Sequence, residues 1–178
     1  PTIVPIGTSG PRLRLIKEIT QVIRGGSLLP GIDFSNPVTD PSEAIIFRNG
    51  FAAARIPFQG VATLGNQTIL ESGDEIDYTI YFLSDGAETL KNVQICDAIP
   101  DGTTFIPDGF GLGSGILLNL GGKETIQSNE NFLPPLTPVS NPCPNFNNPN
   151  GSVLLELGDI PNAVPNNAGF VRFRVRVN

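Results

Sequence analysis

Two opposite charges sit where the residue pattern calls for apolar side chains. In "RLRLIKEITQVI" (12–23), alternation puts Leu13, Leu15, Lys17 and Ile19 on one face, with Arg12, Arg14, Glu18 and Thr20 among those on the other. In "LKNVQICDAIP", Val93, Ile95, Asp97 and Ile99 share a face. Both faces read as inward, so Lys17 and Asp97 are expected inside. A lone buried charge is costly, and the simplest resolution pairs the two across a core.

Other candidate chemistry is thinner. Asp74, Glu75 and Asp77 offer carboxylates for glycoside hydrolysis, but Asp74 falls in a turn and the others flank an exposed face. There is no His for a triad or a zinc site. "GFGLGSG" lacks the Lys-Ser/Thr of a phosphate loop. Calcium at the Asp-rich loops around Asp101 and Asp108 would be unpatterned, because no ligand spacing is met; no other cofactor is implied. Arg172, Arg174 and Arg176 alternate on the last strand. They read either as a polyanion site or as an outward face paired with Glu75 and Asp77, and the net charge favours the second. Asn66-Gln67-Thr68 and Asn150-Gly151-Ser152 have the spacing of glycosylation sequons and belong in loops. Cys96 and Cys143 are either two buried thiols or one disulfide. The polar "NPCPNFNNPNG" around Cys143 favours the bridge, which would contribute about 4 kcal/mol on a chain-entropy model.

The elements that position these residues read as strands. "EIDYTIYF" places Ile76, Tyr78, Ile80 and Phe82 on one face, and "GFVRFRVRVN" places Val171, Phe173, Val175 and Val177 inside. "TTFIP", "GSVLLELGDI" and "GVATL" are shorter candidates, and "ESGDE", "SDGAE", "IPDGTT" and "NPNGS" are turns. Short strands at this spacing predict an all-β antiparallel sandwich, immunoglobulin-like in topology, over residues 11–178. Long insertions are expected at about 24–60 and 108–150, the first holding a short helix capped by Asp40 or Ser42 and stopped by Gly50. Residues 1–10, "PTIVPIGTSG", read as an extended arm with apolar Ile3, Val4 and Ile6.

Eleven Lys and Arg against 17 Asp and Glu give a net charge of −6, which argues against nucleic acid and anionic membranes as partners. No apolar run reaches spanning length. The absence of an initiator Met suggests processing, or a segment of a longer chain. Such a composition suits a solvated protein outside the cell or at its surface.

Ser72-Gly73-Asp74, the strand with Tyr78-Thr79-Ile80, the turn Ser84-Asp85-Gly86 and the run Cys96-Asp97-Ala98-Ile99-Pro100-Asp101-Gly102-Thr103 carry a resemblance. Over residues 11–23, 60–107 and 151–178 the chain resembles the prokaryotic "conserved repeat domain" family, the domain of unknown function number eleven. The resemblance implies an immunoglobulin-like sandwich in surface proteins, adhesins and some extracellular filaments. It also raises a covalent alternative at Lys17: an isopeptide bond to an Asn near the end of the last strand, with Asp97 shuttling the proton. Asn178 faces the wrong way for this by alternation.

Together these features point away from an enzyme and toward a structural subunit of an extracellular filament or cell-surface assembly. Residues 1–10 would add as a donor strand to the neighbouring identical subunit, head to tail, with Ile3, Val4 and Ile6 as plugs. The alternative is an adhesin or ligand-binding module that uses the two long loops.

Overall fold

The computed structural model describes residues 10–35, 37, 41–66, 68–135 and 149–178, with backbone alone for residues 41–44. The arm residues Ile3, Val4 and Ile6, the cap candidate Asp40 and Cys143 lie outside the described residues.

The strands are β1 (Leu13–Arg24), β2 (Ser27–Leu28), β3 (Glu75–Ser84), β4 (Leu90–Ala98), β5 (Thr103–Phe105), β6 (Ile116–Leu120), β7 (Lys123–Gln127), β8 (Phe132–Leu133), β9 (Ser152–Ile160) and β10 (Ala168–Val177), with one α-helix, α1 (Pro41–Ala53), between β2 and β3. All named pairings are antiparallel. One sheet runs β2-β1-β3-β10-β6-β7, with β5 also on β10; the other runs β4-β9-β8. The chain is an all-β sandwich.

Alternation explains the layer between the sheets. Ile76, Ile80 and Phe82 of β3, Val171, Phe173 and Val175 of β10, and Val93, Ile95, Val153 and Leu155 from the smaller sheet are buried together. Each aliphatic or aromatic side chain fully removed from water contributes about 1.5–3 kcal/mol. Phe105 and Phe132 stack with centroids 4.2 Å apart, joining β5 to β8 across the layer.

The opposite face of the large sheet was expected to be solvated, and it is largely sealed. Tyr81, Leu83, Ala168 and Phe170 project from it into a second core with Phe47, Phe51, Ala54 and Ile56. The sealing comes from α1 and the strap that follows it, residues 54–61. Phe51, Phe58 and Tyr81 meet at centroid distances of 4.9–5.3 Å. The helix does not stop at Gly50 but runs on to Ala53. Gly50 is needed for contact, since a Cβ there would stand 2.6 Å from Leu83 Cδ2. The true stop is Arg55, left-handed at φ 57°. Arg55 N–H donates to Ala52 O and Ile56 N–H to Phe51 O, the two bonds of a Schellman cap.

The second insertion is also built into the body. Residues 116–127 form the β6–β7 hairpin, and Phe132–Leu133 joins the smaller sheet. Of "GVATL" only Val61 pairs, as a bridge to Ile19.

Candidate functional site

The sandwich is open along one side, where β1 borders the large sheet and β4 borders the small one. The N–H of Asp85 donates to Arg12 O, while Ile19 exchanges two bonds of 2.8 and 2.9 Å with Val61 on the side away from β3. Antiparallel partners alternate in bonding direction. Even-numbered residues of this half of β1 therefore bond to β3, and the N–H and C=O groups of Leu13, Leu15 and Lys17 point outward. Among the described residues no strand meets them. On the opposite lip, β4 pairs among the described residues with β9 alone.

Between the two lips lie two adjoining clefts that share Lys17. One, of about 360 Å³, is lined by Leu15, Ile80, Ile95, Cys96 and Asp97 among others. The second, of about 490 Å³, is bordered by Ala98, Ile99, Pro100, Asp101 and Pro149. Leu15, expected inward, is 52 % exposed, and among the described residues no strand flanks β1 there.

Lys17 and Asp97 come together as the alternation predicts. The Lys17 Nζ lies 2.5 Å from Asp97 Oδ2, with 33 % and 21 % of the two side chains exposed. The pair spans the seam at its mouth and is half-buried, not enclosed in a dry core, since among the described residues no neighbouring strand closes that side. The ammonium lies 4.7 Å from the Tyr78 ring centroid and 5.4 Å from that of Phe173, a cation–π environment. Burial pushes the Asp97 carboxyl above the usual carboxylate range, and Lys17 opposes the shift. The Lys–Asn alternative finds no support at Asn178, whose side chain accepts the Thr104 hydroxyl at 2.7 Å. Across the ladder from Lys17 stand Ile80 and then Val171.

The other candidates have structural partners. Arg174 grips Asp77 through Nε (2.6 Å) and Nη2 (3.0 Å), Arg176 bonds Glu75 at 3.0 Å, and Arg172 bonds the Thr79 hydroxyl at 2.8 Å. This is the cross-strand ladder expected. Asp77 and Thr79 are nevertheless buried, unlike the solvated face foreseen. Asp74 is buried in its turn and clamped by two Arg24 nitrogens at 2.7 Å. The Arg24 bond holds its carboxyl down at about 2. Asp101 accepts the Asn150 amide (2.9 Å), and Asp108 accepts the Gly113 N–H (2.6 Å) inside its own loop. Among the described residues no three His, Cys, Asp or Glu side chains group as a metal site.

Asn66 is exposed in a turn, but Asn150 is half-buried and Ser152 of its sequon is fully buried at the start of β9. No described cysteine is free; the expected Cys96–Cys143 bridge involves a residue outside the described set.

One group escaped the sequence reading. Glu18, expected outside, is 1 % exposed beneath the strap, and neither carboxylate oxygen has a hydrogen-bond partner. Burial pushes its carboxyl up to about 7. A signal was present: Tyr81 and Leu83 continue the face of Thr79, and Phe170 continues that of Arg172, too apolar for a solvated surface.

Comparisons with family models, with curated proteins and with solved structures give no match to this chain.

Proposed function

We propose that the protein is a structural subunit of an extracellular filament or cell-surface assembly, with no catalytic role. The seam between β1 and β4 accepts residues 1–10 of an identical neighbour. The single observation behind this reading is the row of outward main-chain groups at Leu13, Leu15 and Lys17, above clefts lined by Ile80 and Ile95. An added strand gains affinity from main-chain bonds and specificity from alternate side chains seated in the clefts. The net charge of −6 is compatible with a secreted or surface location and disfavours nucleic acid as a partner. Among the described residues no helix is long and apolar enough to cross a membrane. The immunoglobulin-like kinship suggested by the Asp97–Thr103 run fits the same reading. The alternative of an adhesin has less loop to draw on, since much of both insertions goes into α1, β6, β7 and β8.

Leu15→Pro is the direct test. Its missing N–H would face the seam, not β3, so the β1–β3 ladder keeps its bonds while the acceptor edge is blocked. Full-length wild type should form filaments or higher oligomers by electron microscopy and light scattering. Both Leu15→Pro and deletion of residues 1–10 should give folded monomers. Assembly that survives both changes would defeat the proposal.

A further inference from the structure

The strap over Glu18 is built as a proton-controlled cover. We propose that residues 54–61 lift from the large sheet when Glu18 ionises, while the sandwich beneath stays folded, so that proton concentration governs access to the aromatic layer under the strap. The device is separate from the seam and does not rest on strand addition.

Main chain presses directly on the acid. A Cβ at Gly60 would stand 2.6 Å from Glu18 Cβ and 3.0 Å from Ile19 O, and the φ of Gly60, 136°, lies in the region that favours glycine. That contact brings no donor. The Gly60 N–H goes to Phe34 O at 2.7 Å, the Val61 N–H to Ile19 O at 2.9 Å, and the Gln59 N–H to the Tyr81 hydroxyl at 3.3 Å. Both Glu18 carboxyl oxygens are left without a hydrogen bond at 1 % exposure.

No cation compensates. On β1 the same face carries Ile16 and Thr20, while Lys17 turns to the seam. On β3, Thr79 stands directly across, flanked by Tyr81 and by Asp77, and Asp77 is gripped by Arg174. On β10, Arg172 spends its Nε on the Thr79 hydroxyl. Arg48 of α1, Arg55 of the strap and Asp33 beside Phe34 are exposed, and the Glu43 side chain of α1 lies outside the described residues. Burial therefore acts unopposed on the carboxyl and raises it to about 7.

A carboxylate without a donor must reach water. The strap is the easiest way out. β1 is paired with β3 from Leu13 to Ile23, and β3 with β10 from Ala168 to Arg176. The strap joins no ladder, and its pairing with β1 is the single bridge of Val61 to Ile19. A segment held by few bonds opens at lower free energy than the sheet it covers. Lifting it withdraws Ile56 and Phe58 and uncovers Phe51 and Tyr81. The closed state holds the proton more tightly than the open state, where the carboxyl returns to 4.5. Opening is therefore rarest below about pH 4.5, grows by up to about tenfold per pH unit, and levels off above about 7.

Native-state hydrogen exchange on the full-length protein tests this, from about pH 4 to 8 and at low urea, each rate divided by that of an unprotected amide at the same pH. The amides of Ile19, Gly60 and Val61 should report an opening that rises more than about 100-fold across that range. It should respond only weakly to urea, because little surface is exposed. Amides paired between β3 and β10 should stay better protected and respond steeply to urea. In Glu18→Gln the opening at Gly60 and Val61 should no longer depend on pH. In Gly60→Ala, whose Cβ would collide with Glu18, it should increase at every pH with the slope retained. Strap amides that share the urea response of the β3–β10 ladder would overturn the proposal in the wild type alone, since the acid would then reach water only by global unfolding. A pH dependence that survives Glu18→Gln would overturn it equally.

Discussion

Lys17 and Glu18 are neighbours in sequence and face opposite sides of the same sheet. Lys17 meets a carboxylate at 2.5 Å in a seam that water still reaches. Glu18 lies under the strap, 1 % exposed and without a hydrogen-bond partner. The paired charge sits where the fold is open, and the unpaired acid sits where it is closed. Around Glu18 the nearby polar side chains include Thr20 on β1, bonded to the Thr79 hydroxyl at 2.8 Å, Thr79 and Tyr81 on β3, and Arg172 on β10. Arg172 Nε is committed to the Thr79 hydroxyl, and the Tyr81 hydroxyl donates to Gln59 O. The strap, residues 54–61, brings one ionisable side chain, Arg55, which is exposed. On the seam side the acid is paired with Lys17 although burial still raises its carboxyl, and on the sealed side the acid is unpaired and its carboxyl is raised to about 7.

The largest difference between the faces should appear on truncation. Phe51→Ala empties the sealed face and is expected to lower stability by about 3–5 kcal/mol in urea denaturation. Leu15→Ala, half-exposed at the seam, should cost well under 1 kcal/mol in the monomer. Equal losses would mean that the seam is as closed as the helical face.

Next in size is the pH response. The folded carboxyl of Glu18 titrates near 7, above its ordinary value of 4.5. The folded state thus binds the proton more tightly than the unfolded chain. The associated stability is complete below about 4.5 and lost as pH rises through about 7, by an amount on the order of 3 kcal/mol. Glu18→Gln should flatten that slope in unfolding curves collected from pH 4.5 to 8. A slope that persists in the variant would assign the effect elsewhere. Asp74 works in the opposite sense, contributing stability above pH 3.8 that is lost as pH falls through about 2.

A smaller effect is expected from Lys17→Met. Removing the cation leaves a half-buried Asp97 carboxylate without its ion-pair partner, at a cost of about 1–2 kcal/mol at pH 8, less than for a fully buried pair because water reaches this one. The loss should shrink as pH falls and Asp97 takes up a proton. A pH-independent loss would mean that the methylene stem of Lys17, not its charge, is what matters.

Much of this was legible beforehand. Strict alternation in β1, β3, β4 and β10 carried the sandwich, the Lys17–Asp97 pairing and the arginine ladder, because a half-buried strand advertises its faces in the chain itself. What escaped depended on partners distant in sequence. Nothing within residues 12–23 says that Glu18 will be roofed by a segment some forty residues further on. The β6–β7 hairpin was within reach: "ILLNLGGKETIQ" is two short runs joined by Gly121-Gly122, and both glycines adopt the positive φ of a two-residue turn, 60° and 84°. The surrounding glycines and prolines disguised it as loop. The seam was the least legible feature, since an unpaired edge is defined by a strand that does not come.

The register of β1 slips by one residue between Ile19 and Gln21, so that Val22 rather than Gln21 enters the core beyond it. Upstream of that slip, moving the strand by a single residue sends its side chains to the opposite faces: an ammonium would enter the sealed layer and an acid the side of the seam. Point substitutions can tune either face alone, but an insertion or deletion between Leu13 and Glu18 must damage both at once.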